Sequence, residues 1–226
     1  MTMELLHFTR ARESDLRALA DLAHSIAAAL PSRDMFIADG PDFFASILDG
    51  HGSILLAEDD SGLIAGASVI RFPTPDDEDN LGRSLGYGSA RLARVRHLEA
   101  VFVQDRFRGC GLAARLIRKN MDLTAASGRD LSLATIWPGN MPSLSLHFSL
   151  GLSIRAFALK YGGKPRFIMA GGDGLRLMPP REFCPPMDFE GHKALLGRGL
   201  VGCAVTSTGR NADFSVAYAS PAPTDA

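Results

Sequence analysis

Arg106-Phe107-Arg108-Gly109-Cys110-Gly111-Leu112-Ala113-Ala114 stands between two segments of different periodicity. Before it, Leu98, Ala100, Val101, Phe102 and Val103 make a nearly continuous apolar run of the kind a buried strand carries. After it, Leu112, Leu116, Ile117, Met121 and Leu123 recur at three- and four-residue steps, and Gly128 is placed to end the helix they predict. A strand, a glycine-rich turn and a helix in that order raise the question of whether the turn holds a phosphate.

Gly109-x-Gly111-x-x-Ala114 satisfies the short dinucleotide fingerprint. That fold, however, places its glycines directly after the strand and an acidic residue at the end of the next one. Here Gln104 to Arg108 intervene, and the next predicted strand ends in Thr135-Ile136-Trp137, with no carboxylate. A Walker loop is excluded by the missing Gly-Lys-Ser/Thr ending. Two readings stay open. In one the glycines only relieve backbone strain in a plain turn. In the other, backbone N–H groups from Arg108 to Ala113 form a nest at the helix N-terminus, where unpaired donors and the helix dipole favour an anion. In either case Cys110 reads as a small filler.

Outward from this turn the pattern is mixed α/β. On the N-terminal side it predicts a strand at Glu4 to Thr9, a helix from Asp15 to Ala29 behind the cap Ser14, and a short helix opened by Pro41. A hairpin follows, Ser53 to Glu58 and Leu63 to Phe72, turning at Asp59-Asp60-Ser61-Gly62. Pro73 to Arg94 reads as a long polar connection with a helical piece near Ser89, a length that implies function or mobility. On the C-terminal side come a strand at Leu131 to Trp137, a helix at Pro142 to Leu150, and strands at Ser153 to Leu159 and Arg166 to Ala170 around Tyr161-Gly162-Gly163, a hairpin turn or a flap. Beyond Gly171 the chain is rich in Gly and Pro; only Leu200 to Thr206 and Phe214 to Ala219 read as strands, a predicted hairpin.

The 226 residues suffice for one full core plus an appendage. With 24 Lys and Arg against 25 Asp and Glu, nothing in the net charge calls for a nucleic-acid or membrane partner, so any anion site must be local. No apolar run reaches spanning length and no basic-then-apolar leader opens the chain, which places the expected protein in the cytoplasm. Cys110, Cys184 and Cys203 are far apart, lack metal-ligand spacing and suit a reducing compartment, and no metal is expected.

A second motif decides between the open readings. Arg108-x-x-Gly111-x-Ala113 fits R/Q-x-x-G-x-G/A, and thirty residues on, Asn140-x-x-Ser143-x-x-Leu146-His147-x-x-Leu150-Gly151-Leu152 fits N-x-x-A/S-x-x-L-Y/H-x-x-L-G-F. In this order the two resemble the signatures of the GNAT superfamily of acyl-CoA-dependent N-acetyltransferases, over roughly residues 4 to 170. The resemblance implies a mostly antiparallel central sheet with flanking helices. Its fourth and fifth strands, His97 to Val103 and Leu131 to Trp137, would run parallel and splay apart, with a bulge after Val103. It implies acetyl-CoA as co-substrate: pyrophosphate on Arg108, Gly109, Cys110, Gly111, Leu112 and Ala113, pantetheine on the main chain of Val101 and Val103 and on Asn140 and Ser143. Residues 1–170 would be the acetyltransferase domain and 171–226 a C-terminal extension, either a hairpin or an arm for homodimer formation.

Acyl transfer from a thioester to an amine needs a free lone pair on nitrogen, a route for its proton and a proton for the departing thiolate. The resemblance implies Glu99 as base, assisted by His97 or a shared water, and His147 as the acid where many members carry Tyr. Strand alternation predicts His97, Glu99, Val101 and Val103 on one face and Leu98, Ala100 and Phe102 on the other. The competing expectations are a structural role for each of these side chains, and a non-catalytic acyl-CoA sensor of the same fold. The acceptor, a primary amine, carries no signature in the loops Pro31 to Pro41 and Pro73 to Arg94.

Overall fold

The computed structural model describes residues 6–207 and 213–223. In chain order the elements are β1 (His7–Arg10), α1 (Leu16–Ala29), α2 (Pro41–Ser46), β2 (Gly52–Glu58), β3 (Ile64–Arg71), α3 (Ser89–Leu92), β4 (Val95–Val103), α4 (Leu112–Leu123), β5 (Leu131–Ile136), α5 (Met141–Ser149), β6 (Ser153–Lys160), β7 (Lys164–Gly171), β8 (Glu182–Cys184), α6 (Phe189–Gly197), β9 (Val201–Ser207) and β10 (Phe214–Ala219). The class is mixed α/β with mostly antiparallel strands, as the motifs led us to expect. The first predicted strand is seen from His7; Glu4 and Leu5 lie outside the described residues.

The chain forms two compact units. One comprises the described residues up to Thr74 together with Arg96–Arg129; the other comprises Pro75–Val95 and the described residues from Asp130 onward. In the first, β1, β2, β3 and β4 follow one another as antiparallel neighbours. Alternation gives this sheet two apolar faces. Ile54, Leu56, Ala67, Val69 and Phe102 bury against Leu19, Ala23 and Ile26 of α1 and Phe44 of α2. On the other side Leu55, Ala57, Ala65 and Val103 bury against Leu112 and Leu116 of α4. A fully buried Leu or Ile contributes about 1.5–3 kcal/mol, so these two layers dominate the stability of the unit. Asn120 pins α4 across the sheet, its Nδ2 donating to the carbonyls of Ser68 at 2.9 Å and Ser53 at 3.2 Å.

In the second unit the strand order is β5-β7-β6-β9-β10-β8, every neighbouring pair antiparallel. The expected C-terminal hairpin is β9 with β10, and it continues the sheet of its own chain through Ile154 opposite Gly202. Two elements in the Gly- and Pro-rich tail go beyond the expected strands. β8 is the short edge strand, and α6 opens at Asp188, whose Oδ1 accepts from the Gly191 N–H at 2.9 Å. Nor is the Pro73–Arg94 connection a bare loop. Its buried Asn80 caps a 3₁₀ turn at Leu81–Leu85, and Leu81 packs with Val95, Leu131, Leu133, Ile168 and Ala170.

Candidate functional site

The first unit carries the glycine turn. β4 ends at Val103, paired with Gly66, and the Gln104 N–H donates to the Ala65 carbonyl at 2.9 Å, which fixes the exit of the chain. Residues Asp105–Phe107 make one 3₁₀ turn before α4. Gly109 and Gly111 both have φ of 77°, and a side chain at either would meet open space, so the glycines are required by backbone conformation and not by crowding. Arg108 is spent locally. Its own N–H donates to the Asp105 carbonyl at 3.1 Å, Nε to the Val103 carbonyl at 3.0 Å, and Nη1 lies 2.8 Å from Asp105 Oδ1. The nest therefore begins one residue later than expected: the N–H groups of Gly109 through Ala114 donate to no acceptor among the described residues. Six consecutive N–H groups without a described acceptor open a twelve-residue helix, an arrangement in which the donors and the helix dipole favour an anion. Cys110 Sγ faces the Phe107 carbonyl at 3.0 Å, on the rim of this nest.

A β-bulge shapes the second cluster. Arg71 pairs with His97, Ile70 with Leu98 and Val69 with Ala100, leaving Glu99 as the extra residue on β4. The β3–β4 register then runs regularly to Val103, so the bulge lies at Glu99 and not after Val103. This one insertion changes which residues share a face. Paired residues point the same way, so His97, Ala100 and Phe102 lie on the α1/α2 side with Val69 and Arg71, and Leu98, Val101 and Val103 lie on the α4 side. The expected face of His97, Glu99, Val101 and Val103 is thus split, because strict alternation fails across a bulge.

Glu99 joins His97 and Arg71. Arg71 Nε donates to Glu99 Oε2 at 3.1 Å and Arg71 Nη2 lies 3.0 Å from His97 Nδ1, which is 3.6 Å from Glu99 Oε2. Burial pushes the Glu99 carboxyl up, but His97 and Arg71 outweigh it and hold it below the ordinary carboxylate value. On this side of the sheet there is a further carboxylate, one that no motif singled out. Asp39 follows Phe36 and Ala38, which join Ala100 and Phe102 in the same apolar layer; the Phe36 and Phe102 rings stand 5.7 Å apart. Burial first, and the charge of Glu99 second, push the Asp39 carboxyl up to about 6, against a smaller opposing effect of His24.

The second unit holds the remaining predicted residues. Asn140 Oδ1 accepts from the Ser143 N–H at 3.1 Å and caps α5. His147, only 5% exposed, donates from Nδ1 to the Ser143 carbonyl at 2.8 Å, so its neutral ring has a bare Nε2. Burial lowers its pKa and the Ser143 carbonyl only partly offsets this. Tyr161-Gly162-Gly163 closes the β6–β7 hairpin between Lys160 and Lys164; Tyr161 has φ of 51° and its hydroxyl meets Thr135 Oγ1 at 2.9 Å.

Comparison with known families brings one match, the acetyltransferase (GNAT) family, over residues 17–152. The chain belongs to the GNAT family. Its match spans more than half of the 226 residues and takes in both the glycine turn and the Asn140–Leu152 motif. Solved structures repeat the GNAT fold at low identity. Phosphinothricin acetyltransferase from Sinorhizobium meliloti, in complex with acetyl-CoA, is 17% identical, with 75% of this chain and 90% of that chain covered at a TM-score of 0.54. Diaminobutyrate acetyltransferase from Paenibacillus lautus, with diaminobutyric acid and coenzyme A, is 16% identical over 75% and 96% at 0.53. Ribosomal-protein-S18-alanine N-acetyltransferase from Escherichia coli is 15% identical over 76% and 99% at 0.55. No curated protein matches the chain.

Proposed function

We propose that this GNAT protein transfers an acetyl group from acetyl-CoA to a primary amine by direct attack in a ternary complex. The observation that carries the reading is the run of six N–H groups at Gly109–Ala114 without a described acceptor, donors suited to the pyrophosphate of coenzyme A. The solved relatives that hold acetyl-CoA or coenzyme A support the choice of donor, and diaminobutyric acid in one of them supports an amine acceptor. Glu99 sits four residues before the end of β4, roughly 13 Å upstream at about 3.3 Å per residue. A pantetheine arm laid along the strand from the turn would bring its thioester toward this cluster.

There the Arg71 pair keeps Glu99 ionised and weakens it as a base, so the carboxylate serves as a fixed negative field for the amine, with His97 completing the wall. His147 is a poor acid in this setting, because the only proton of the neutral ring is committed to the Ser143 carbonyl. The thiolate, with a thiol pKa near 8.5, leaves readily and takes its proton from the ammonium nitrogen of the tetrahedral intermediate. Calorimetric titration with acetyl-CoA, followed by thiol release over a panel of primary amines, tests the reading. We expect saturable binding and turnover with at least one amine; no binding at high micromolar acetyl-CoA would exclude the donor.

A further inference from the structure

The Asp39 carboxylate makes no hydrogen bond and no ion pair with any described residue, although it is partly buried; it follows Phe36 and Ala38, which join the apolar layer of Val69, Ala100 and Phe102, the side of the sheet on which Arg71 holds Glu99. Three elements bring charge toward it. Glu99 comes from β4, His24 from α1, and behind Glu99 stand Arg71 of β3 and His97 of β4. His24 is turned to its own helix, Nδ1 donating to the Ala20 carbonyl at 2.8 Å, and Arg71 is engaged by Glu99 and His97. Neither side chain forms an ion pair with Asp39. Two neighbouring carboxylates, one ion-paired and one unpaired, divide the work: the first supplies charge and the second retains basicity.

We propose that Asp39 is the catalytic base, taking a proton from an acceptor that arrives as an ammonium ion. This rests on the acetyltransferase reading above. The ammonium is drawn between the two carboxylates and gives one proton to Asp39. The neutral nitrogen attacks the thioester carbonyl, the C–N bond forms and the C–S bond breaks. The second proton lost from nitrogen ends on the departing sulfur, and Asp39 passes the first to solvent. Three N–H bonds of the ammonium become one in the amide, and both protons are accounted for. The inference also names the acceptor class: aliphatic amines that are cationic at neutral pH, in preference to arylamines.

The value near 6 sets the pH at which such a base becomes competent, high enough to matter and low enough to be ionised at pH 7. The test is the pH profile of kcat/KM for primary alkylamines in the wild type, Asp39→Asn and Asp39→Glu, with acetyl-CoA affinity measured alongside and the Asp39 carboxyl followed by carbon-detected NMR. We expect an acidic limb near pH 6 in the wild type. Asp39→Asn should lose about a hundredfold or more in kcat/KM and lose that limb, while Asp39→Glu recovers part of the rate and acetyl-CoA binds all three equally. The carboxyl resonance should titrate near 6 and move to lower pH in Glu99→Gln. An unchanged profile in Asp39→Asn, or a carboxyl titrating near its ordinary value, overturns the role of Asp39 and leaves the acetyltransferase standing. A wild type that binds acetyl-CoA yet acetylates no amine overturns both.

Discussion

Because burial and Glu99 push the Asp39 carboxyl up to about 6 from its ordinary 3.8, the folded chain binds that proton more tightly than the unfolded chain does. Such a group leaves the fold undisturbed below pH 3.8, where both states are protonated, and destabilises it progressively as pH rises through 6. Replacing it with Asn removes the charge at nearly constant volume. We therefore expect Asp39→Asn to stabilise the protein at pH 8 by about 1 kcal/mol after solvent screening, roughly 2–4 °C in Tm for a chain of this size. The gain should shrink to nothing by pH 4 in thermal melts. A variant that is more stable and less active is what a strained functional residue produces, whereas a carboxylate with a structural role would lose stability on the same change. Nothing around Asp39 in the sequence marks it. Its neighbours Phe36 and Ala38 are ordinary apolar residues of a loop, and only the tertiary packing of that loop, Phe36 against Phe102 of β4, brings it to this side of the sheet.

At the scale of elements, the strand–turn–helix unit was readable because each part has a local cause: an apolar run, two glycines with positive φ, and apolar residues at helical spacing. Gly111 is the N-cap of α4 in the left-handed region, where a Cβ costs roughly 1–2 kcal/mol. Gly111→Ala should thus relax the turn, rotate the free N–H groups of the nest and weaken acetyl-CoA binding about tenfold or more, measured by calorimetry. Gly128→Ala, at another left-handed position remote from the nest, is the control that carries the same backbone penalty. The Glu99 bulge was not readable, since a one-residue insertion is decided by the pairing partner, and β4 alone shows only alternation. α6 was readable and missed. Asp188 three residues before Gly191 and Gly199 after the helix are ordinary start and stop signals, hidden by the prolines at 179, 180, 185 and 186 that made the whole segment look like loop.

Over the whole chain, the family and its fold were carried by two motifs in order, while the partition into units depends on long-range packing that no local pattern encodes. Leu81 and Val95 belong with Leu131 and Ile168 because of where the chain returns, and so residues 75–95 join the second unit. That unit also buries two imidazoles. His192 is 0% exposed; its ring stands 4.7 Å from the Phe167 ring, Nε2 donates to the Pro186 carbonyl at 3.2 Å and Nδ1 accepts from the Tyr218 hydroxyl at 2.8 Å. Both nitrogens are committed to the neutral ring. Burial lowers the pKa of His192, as it does that of His147. For a histidine depressed in the folded state, the unfolded chain binds the proton first, so stability is complete above the unfolded value near 6.5 and is lost as pH falls below it. Each imidazole can steepen that loss by up to about 1.4 kcal/mol per pH unit. Asp39 acts with the opposite sign in the same window, which makes the raw curve ambiguous and the difference curve informative. Urea unfolding between pH 8 and pH 5 should show the gap between wild type and His192→Gln closing as pH falls, because the variant has one proton fewer to gain on unfolding. A gap constant across that range would mean that His192 takes up its proton without breaking its contacts to Tyr218 and Pro186.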